Sequence, residues 1–241
     1  MFGTCPHKIE KGVIVMAGEM SCIVLLSGGM DSATLLAKAI NEFDKVSALT
    51  LIYGQKHRHE LKCAMTLTKH FKVPHKVLDV SVINSILQGS ALTDSRVSVP
   101  KGHYEDESMK MTVVPARNTI LLSLALGWCI SCGFNTVAYA AHSGDHAIYP
   151  DCRPDYIAAM QDVFNKAHYW PINLYVPFMH MDKGSILEVG FKLGVPYEHT
   201  WTCYDPQGEE PLACGTCGSC TERLEGFAKN KVKDPVQYVK R

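Results

Sequence analysis

No apolar stretch in the chain approaches the roughly 18 residues that a membrane-crossing helix needs, so no transmembrane span is expected. A secretory signal is missing too. Lys8 and Lys11 precede only a short apolar stretch over 13–17, and Glu19 breaks it off. Nor is there an excess of charge of either sign. Lys plus Arg number 24 and Asp plus Glu number 24, so the chain has no bulk electrostatic reason to coat nucleic acid or an anionic membrane. Internal repeats and low-complexity tracts are absent. Charged residues make up only 20% and apolar ones 46%, a balance that excludes wholesale disorder and points to a globule with a core. At 241 residues, that core serves one domain with small additions.

Residues 1–20 read as an extension or a start assigned too early, because Met16 and Met20 stand just before the first strong element. From there, apolar runs alternate with helical periodicity. Strands are predicted over 22–26, 46–52, 75–80, 136–140 and 173–176. Helices are predicted over 31–43, 56–71, 117–131, 154–166, 182–193 and 221–228, with Pro154 at a first helical position and Gly194 at a helix exit. Residues 81–114 are mixed and polar and read as a short helix plus a long loop, and a loop of that length is usually functional or mobile. The alternation predicts an α/β fold, a doubly wound parallel sheet of about five strands, Rossmann-like, which binds ligands at the carboxyl ends of its strands. The expected organisation is an extension over 1–20, the main domain over 21–198, a cysteine-bearing segment over 199–228 within the same compact unit, and a tail over 229–241.

The first strand runs through Leu26 into Ser27-Gly28-Gly29-Met30-Asp31-Ser32 and then into a helix. Two glycines let the backbone bend and approach an anion closely. The helix start behind them offers unpaired N–H groups and the positive end of a dipole. Asp31 would repel a bare phosphate, so it makes sense with Mg²⁺ between them. Neither G-x-x-x-x-G-K-[ST] nor G-x-G-x-x-G is present.

Ten cysteines are many for this length. Cys203, Cys214, Cys217 and Cys220 place four thiols within one loop, and without a signal such clustering points to metal rather than disulfides. A full thiolate set suits tetrahedral Zn²⁺ in a closed, structural site, although composition alone does not separate zinc from iron. Cys129 and Cys132 resemble a redox pair but end a helix instead of starting one, so they read as buried side chains. Arg117 opens a helix and can clamp phosphate or carboxylate. Asp145, Asp151 and Arg153 come after the fourth strand, where such a sheet binds its ligand. His142 and His146 flank Gly144 and are not expected to ligate metal. His57 and His59 are expected on a solvated helix face. Lys183 opens a helix within reach of a phosphate.

The S-G-G-x-D-S string resembles the PP-loop of ATP pyrophosphatases. Taken in order with 114–118 (VPARN), 144–154 (GDHAIYPDCRP), 200–203 (TWTC) and 214–220 (CGTCGSC), it resembles the 7-cyano-7-deazaguanine synthase family of queuosine biosynthesis, over roughly residues 21–228. The extension at the start and a few extra residues around 205–211 depart from that pattern without touching a motif. The resemblance implies a cytoplasmic, homodimeric ligase with one structural Zn²⁺ per chain, using ATP with Mg²⁺, 7-carboxy-7-deazaguanine and ammonia. It implies no stable nucleic-acid partner and no membrane. Two ATP would be spent in turn, taking acid to amide and amide to nitrile. On that basis Leu26, Ser27, Gly28, Gly29, Met30, Asp31, Ser32 and Arg117 are expected to bind ATP. Asp31, Arg117 and Lys183 are expected to serve the chemistry, and Asp145, Asp151 and Arg153 to read the deazaguanine. Two rivals share the adenylating apparatus. One is a ligase that stops at the amide or conjugates through it, and the other is a tRNA-thiolating enzyme with Cys152 as sulfur carrier.

Overall fold

A computed structural model describes residues 19–56, 59–103, 106–209 and 211–240. Nearly all of the expected extension, and His57, lie outside these residues. The sequence 21–52 first gives β1 (Ser21–Leu25), α1 (Met30–Glu42) and β2 (Lys45–Ile52), then α2 (His59–Phe71) and β3 (His75–Asp79). After a long connection come α3 (Arg117–Ser131), β4 (Thr136–Ala138), α4 (Pro154–Lys166), β5 (Asn173–Tyr175), α5 (Lys183–Lys192) and α6 (Gly218–Lys229). The strands form one sheet in the order β3-β2-β1-β4-β5, and every pairing is parallel. Val24 is in register with Ala48 on one side and Ala138 on the other. Strand order therefore reverses between β1 and β4, which opens a crevice at their carboxyl ends.

Side chains alternate across the pleat, and each face has its own core. On one side Cys22, Val24, Ala48 and Ala138 pack beneath α1, α5 and α6 through Leu35, Leu36, Ile186, Leu187 and Phe227. On the other, Ile23, Leu49, Leu51 and Val137 meet α3 and α4 through Leu122, Leu126, Met160 and Phe164. Burial on both faces is why these strands are continuous apolar runs in the sequence.

Several elements depart from the sequence reading. β4 stops at Ala138 rather than at 140, because Tyr139 and Ala140 turn to line the crevice. α6 starts at Gly218, with Cys217 as its N-cap, three residues before the predicted helix. Cys217 and Cys220 thus stand one helical turn apart, and the glycine and serine between them do not break the helix. The 81–114 connection holds two 3₁₀ turns, Ser81–Ser85 and Glu107–Thr112. It is pinned at several points: Ala91 N–H donates to Met111 O at 2.7 Å, and Gly102 N–H to Thr216 O at 3.0 Å. Cys129 and Cys132 are both buried, as their place at a helix end implied. No helix among the described residues is long and apolar enough to cross a membrane.

Candidate active site

The crevice beside the reversal point is a cleft of about 240 Å³. Its floor is the turn between β1 and α1. Gly28 takes φ +95°, and a Cβ there would lie 2.1 Å from the carbonyl oxygen of Glu60, so only glycine allows α2 to pack this close. Ser27 and Ser32 brace the turn, with their hydroxyl oxygens 3.0 Å apart and Gly29 N–H donating to Ser27 Oγ at 3.1 Å. No side chain caps α1 at Gly29, so the first-turn N–H groups of α1 remain available to an anion.

Asp31 sits at the centre of a charged group drawn from four elements. Its Oδ2 accepts from Lys183 Nζ at 2.8 Å, while its Oδ1 is buried without a partner. Lys183 Nζ is also 3.4 Å from Glu222 Oε2 and 2.8 Å from His142 Nε2. His142 Nε2 in turn lies 3.4 Å from Asp145 Oδ2. Burial alone would raise the Asp31 carboxyl, but Lys183 and His142 outweigh it and hold it below the ordinary value. Glu222 goes the other way, raised by burial and by Asp145 and Asp31 against the pull of Lys183. Three carboxylates around one lysine leave this end of the cleft acidic. With the orphaned Asp31 oxygen, it fits the hard, oxygen-seeking Mg²⁺ that accompanies ATP.

Arg117 opens α3 at the opposite wall, half-buried between the rings of Tyr53 and Tyr149, whose centroids are each 5.8 Å from its guanidinium carbon. Asn118, Tyr139 and Tyr204 complete that side. Cys152 also lines the cleft, but its thiol is pushed far up by burial and by Asp145.

The cleft thus brings together Leu26, Ser27, Asp31, Ser32, Arg117 and Asp145, with Lys183 directly behind Asp31. Gly28, Gly29 and Met30 are buried beneath it. Asp151 and Arg153 stand apart from its lining. Asp151 Oδ2 accepts from Asn118 N–H at 3.1 Å, capping α3, and Arg153 Nε donates to the His146 carbonyl at 2.9 Å from an exposed position. Sequence reasoning missed Tyr53, Glu60, Tyr204 and Glu222. His59, expected in solvent, is half-buried and stacks on Trp201 with centroids 4.5 Å apart.

The sulfur atoms of Cys203, Cys214, Cys217 and Cys220 all lie within 4.8 Å of one another. Tetrahedral Zn²⁺ at about 2.3 Å from each sulfur sets the ligand atoms about 3.8 Å apart, so this donor set fits a closed four-thiolate centre. Backbone N–H groups aim at the sulfurs: Cys214 N at Cys203 Sγ (3.2 Å), and Cys217 N at Cys214 Sγ (3.3 Å). Hydrogen bonds from the neighbouring thiols, Cys203 first, together with Thr216 N–H, hold the Cys214 thiol below its ordinary value. Cys63 is buried beside the cluster but outside the ligand set. The cysteine segment is fastened to the turn between β1 and α1. Trp201 N–H donates to Gly28 O at 3.0 Å, and within the segment Ser219 Oγ donates to Thr202 O. Arg223, 1% exposed, grips Asp234 with two bonds of 2.7 and 2.9 Å and reaches Thr200 Oγ1 at 2.8 Å.

The family model described as queuosine biosynthesis protein QueC matches residues 21–231. The 7-cyano-7-deazaguanine synthase 1 of Colwellia psychrerythraea is 52% identical over 216 residues, covering 90% of this chain and 97% of that one. The 7-cyano-7-deazaguanine synthase of Marinobacter nauticus is 51% identical over 218 residues with the same coverage. Among solved structures, the U34-tRNA thiolase NcsA of Methanococcus maripaludis is a distant likeness, with a TM-score of 0.49 at 15% identity over 91% of this chain and 70% of that one.

Proposed function

The chain belongs to the QueC family of queuosine biosynthesis proteins, and from that premise we propose that its cleft makes 7-cyano-7-deazaguanine (preQ₀) by adenylating one substrate position twice. The carboxylate of 7-carboxy-7-deazaguanine attacks the α-phosphorus of ATP and pyrophosphate leaves. Ammonia displaces AMP to give the amide. The amide oxygen attacks a second ATP, and loss of AMP leaves the nitrile. A carboxylate and an amide both present a poor leaving oxygen, and adenylation makes each a good one. The protein's task is then positioning and charge neutralisation.

The observation that carries this reading is the Asp31 pair of oxygens: Oδ2 held by Lys183 and Oδ1 bare, above an uncapped helix start in a cleft that also holds Arg117. Ser27, Gly28, Gly29, Met30 and Ser32 would cradle the pyrophosphate, and Leu26 would flank it. Asp31 would meet Mg²⁺. Arg117 and Lys183 would neutralise phosphate or the substrate carboxylate. The flat heterocycle suits the tyrosine-lined wall, where Asp145 can accept from its N1–H and exocyclic amine. Asp151 supports this wall by capping α3, and Arg153 holds the 146–153 turn. The four cysteines would hold structural zinc, which supplies a cross-link and no chemistry of its own. The functional unit is a cytoplasmic homodimer. A sulfur-transfer role is disfavoured by Cys152, since a carrier thiol needs a lowered pKa and this one is raised.

The test is to incubate the protein with the acid, ATP, Mg²⁺ and ammonium and to count products by mass spectrometry. Nitrile with two AMP per turnover is expected. Amide with one AMP would replace this reading with a ligase that stops early.

A further inference from the structure

We propose that Glu60, which neither the nucleotide grip nor the substrate wall uses, is the base that collects the protons shed by nitrogen in both halves of the reaction; this rests on the two-adenylation reading. Glu60 stands in the first turn of α2 and lines the same cleft as Ser27, Asp31, Ser32 and Arg117. The contact of its carbonyl with Gly28 fixes that turn directly over the nucleotide loop. Each of the other carboxylates of the region already has a lysine, imidazole or backbone N–H neighbour at one oxygen. Asp31 and Glu222 face Lys183, Asp145 faces His142, and Asp151 caps α3. The Glu60 carboxylate makes no hydrogen bond or ion pair among the described residues, and the charge that acts on it most is Arg117. Burial outweighs that arginine and pushes the carboxyl up to about 7, where a base is half ionised yet strong enough to accept a proton near neutral pH. Arg117 from α3 is the charge that opposes burial; the other titratable groups of this part of the cleft are Tyr53 and Lys56 from the β2–α2 connection, Asp31 and Asp145 across the cleft, and Cys63 one turn along α2.

The proton count explains why one base serves twice. In the first half, the lone pair of ammonia forms the C–N bond as the carbonyl pair moves to oxygen. Collapse of that oxyanion breaks the C–O bond, and AMP leaves with the electron pair. The nitrogen then carries one proton too many and gives it to Glu60. In the second half, attack of the amide oxygen on ATP leaves a cationic imidate bearing two N–H bonds. Loss of one proton gives the neutral imidate. Loss of the other, as AMP departs with the C–O electrons, leaves the nitrogen triply bonded to carbon. Glu60 takes these protons one at a time and passes each to solvent before the next.

The experiment measures three reactions of full-length Glu60→Gln: acid-dependent ATP–pyrophosphate exchange without ammonia, amide formation, and nitrile formation from supplied 7-amido-7-deazaguanine. Exchange, which moves no nitrogen-bound proton, should stay within about twofold. The other two should each fall about 10²- to 10⁴-fold. The wild-type kcat should rise with pH through an ionisation at about 7, because the carboxylate form is the active one; the variant should lack that limb, and Glu60→Asp should restore part of it. Loss of exchange in a variant whose melting temperature is unchanged would place Glu60 in the ATP grip and overturn the assignment. Unaltered amide and nitrile rates would overturn it equally. Wild-type protein that makes no nitrile defeats the two-adenylation function itself; wild-type nitrile beside unaltered Glu60→Gln rates defeats the Glu60 assignment alone.

Discussion

Asp31 faces two demands that pull on different atoms. One oxygen is tied to a buried lysine and the other is buried with no partner. Asparagine keeps the shape but not the charge. Asp31→Asn would leave Lys183 with Glu222 as its remaining carboxylate contact and would weaken any metal contact at Oδ1. We expect turnover to drop about 10²- to 10³-fold, in line with removal of one preorganised electrostatic contact, with a higher Mg²⁺ requirement in pyrophosphate exchange; unchanged turnover at ordinary Mg²⁺ would remove the bridging role. Asp31 and its loop were legible in the sequence because all six residues are contiguous and flanked by a strand and a helix. Glu222, His142 and Glu60 were not. Each joins the site from a distant element, and nothing in its local spacing marks it as facing Asp31.

Among the elements, α6 does most to join parts of the molecule. Its first turn carries Cys217 and Cys220, its second Glu222 and Arg223, and its far end Phe227, which packs with α1 and α5. One helix therefore touches the cysteine cluster, the acidic end of the cleft, the 230–240 tail and the core. The Arg223–Asp234 pair is deeply buried, and both side chains are nearly sealed from water. Arg223→Ala would strand Asp234 in that setting. Breaking one side of such a pair costs about 3–5 kcal/mol, so a drop in melting temperature of roughly 6–20 °C is expected from thermal denaturation for a chain of this size. A drop of only a degree or two would mean that Asp234 finds new partners, Tyr238 first, whose hydroxyl already donates to it at 2.6 Å. Sequence reading found the helix but began it too late. Gly218 and Ser219 look like loop residues until the ligand pair around them fixes the turn.

At the scale of the whole molecule, the layered sheet was readable because burial on both faces leaves an unmistakable signature: short apolar runs separated by amphipathic helices. The 81–114 connection was not, because its order comes from single hydrogen bonds to distant loops rather than from periodicity. The same non-local bonding ties the cysteine cluster to the cleft. On the proposed zinc site, treating zinc-loaded protein with a chelator is expected to lower both the melting temperature and the affinity for ATP, the latter about tenfold or more, and added zinc at one ion per chain should restore both. Calorimetric titration with ATP before and after stripping checks this; ATP affinity that survives a lowered melting temperature would mean that the segment steadies the fold without shaping the turn. The bond from Trp201 to Gly28 has one more effect, visible when the chain is traced in time. A ribosome releases the Gly28 turn early, but Trp201, which braces it, emerges only after all five strands of the sheet have been made. Until then the growing polypeptide has the turn without its support, so a copy cut short before Trp201 should not spend ATP, and the cost of this chemistry falls only on molecules whose turn is braced.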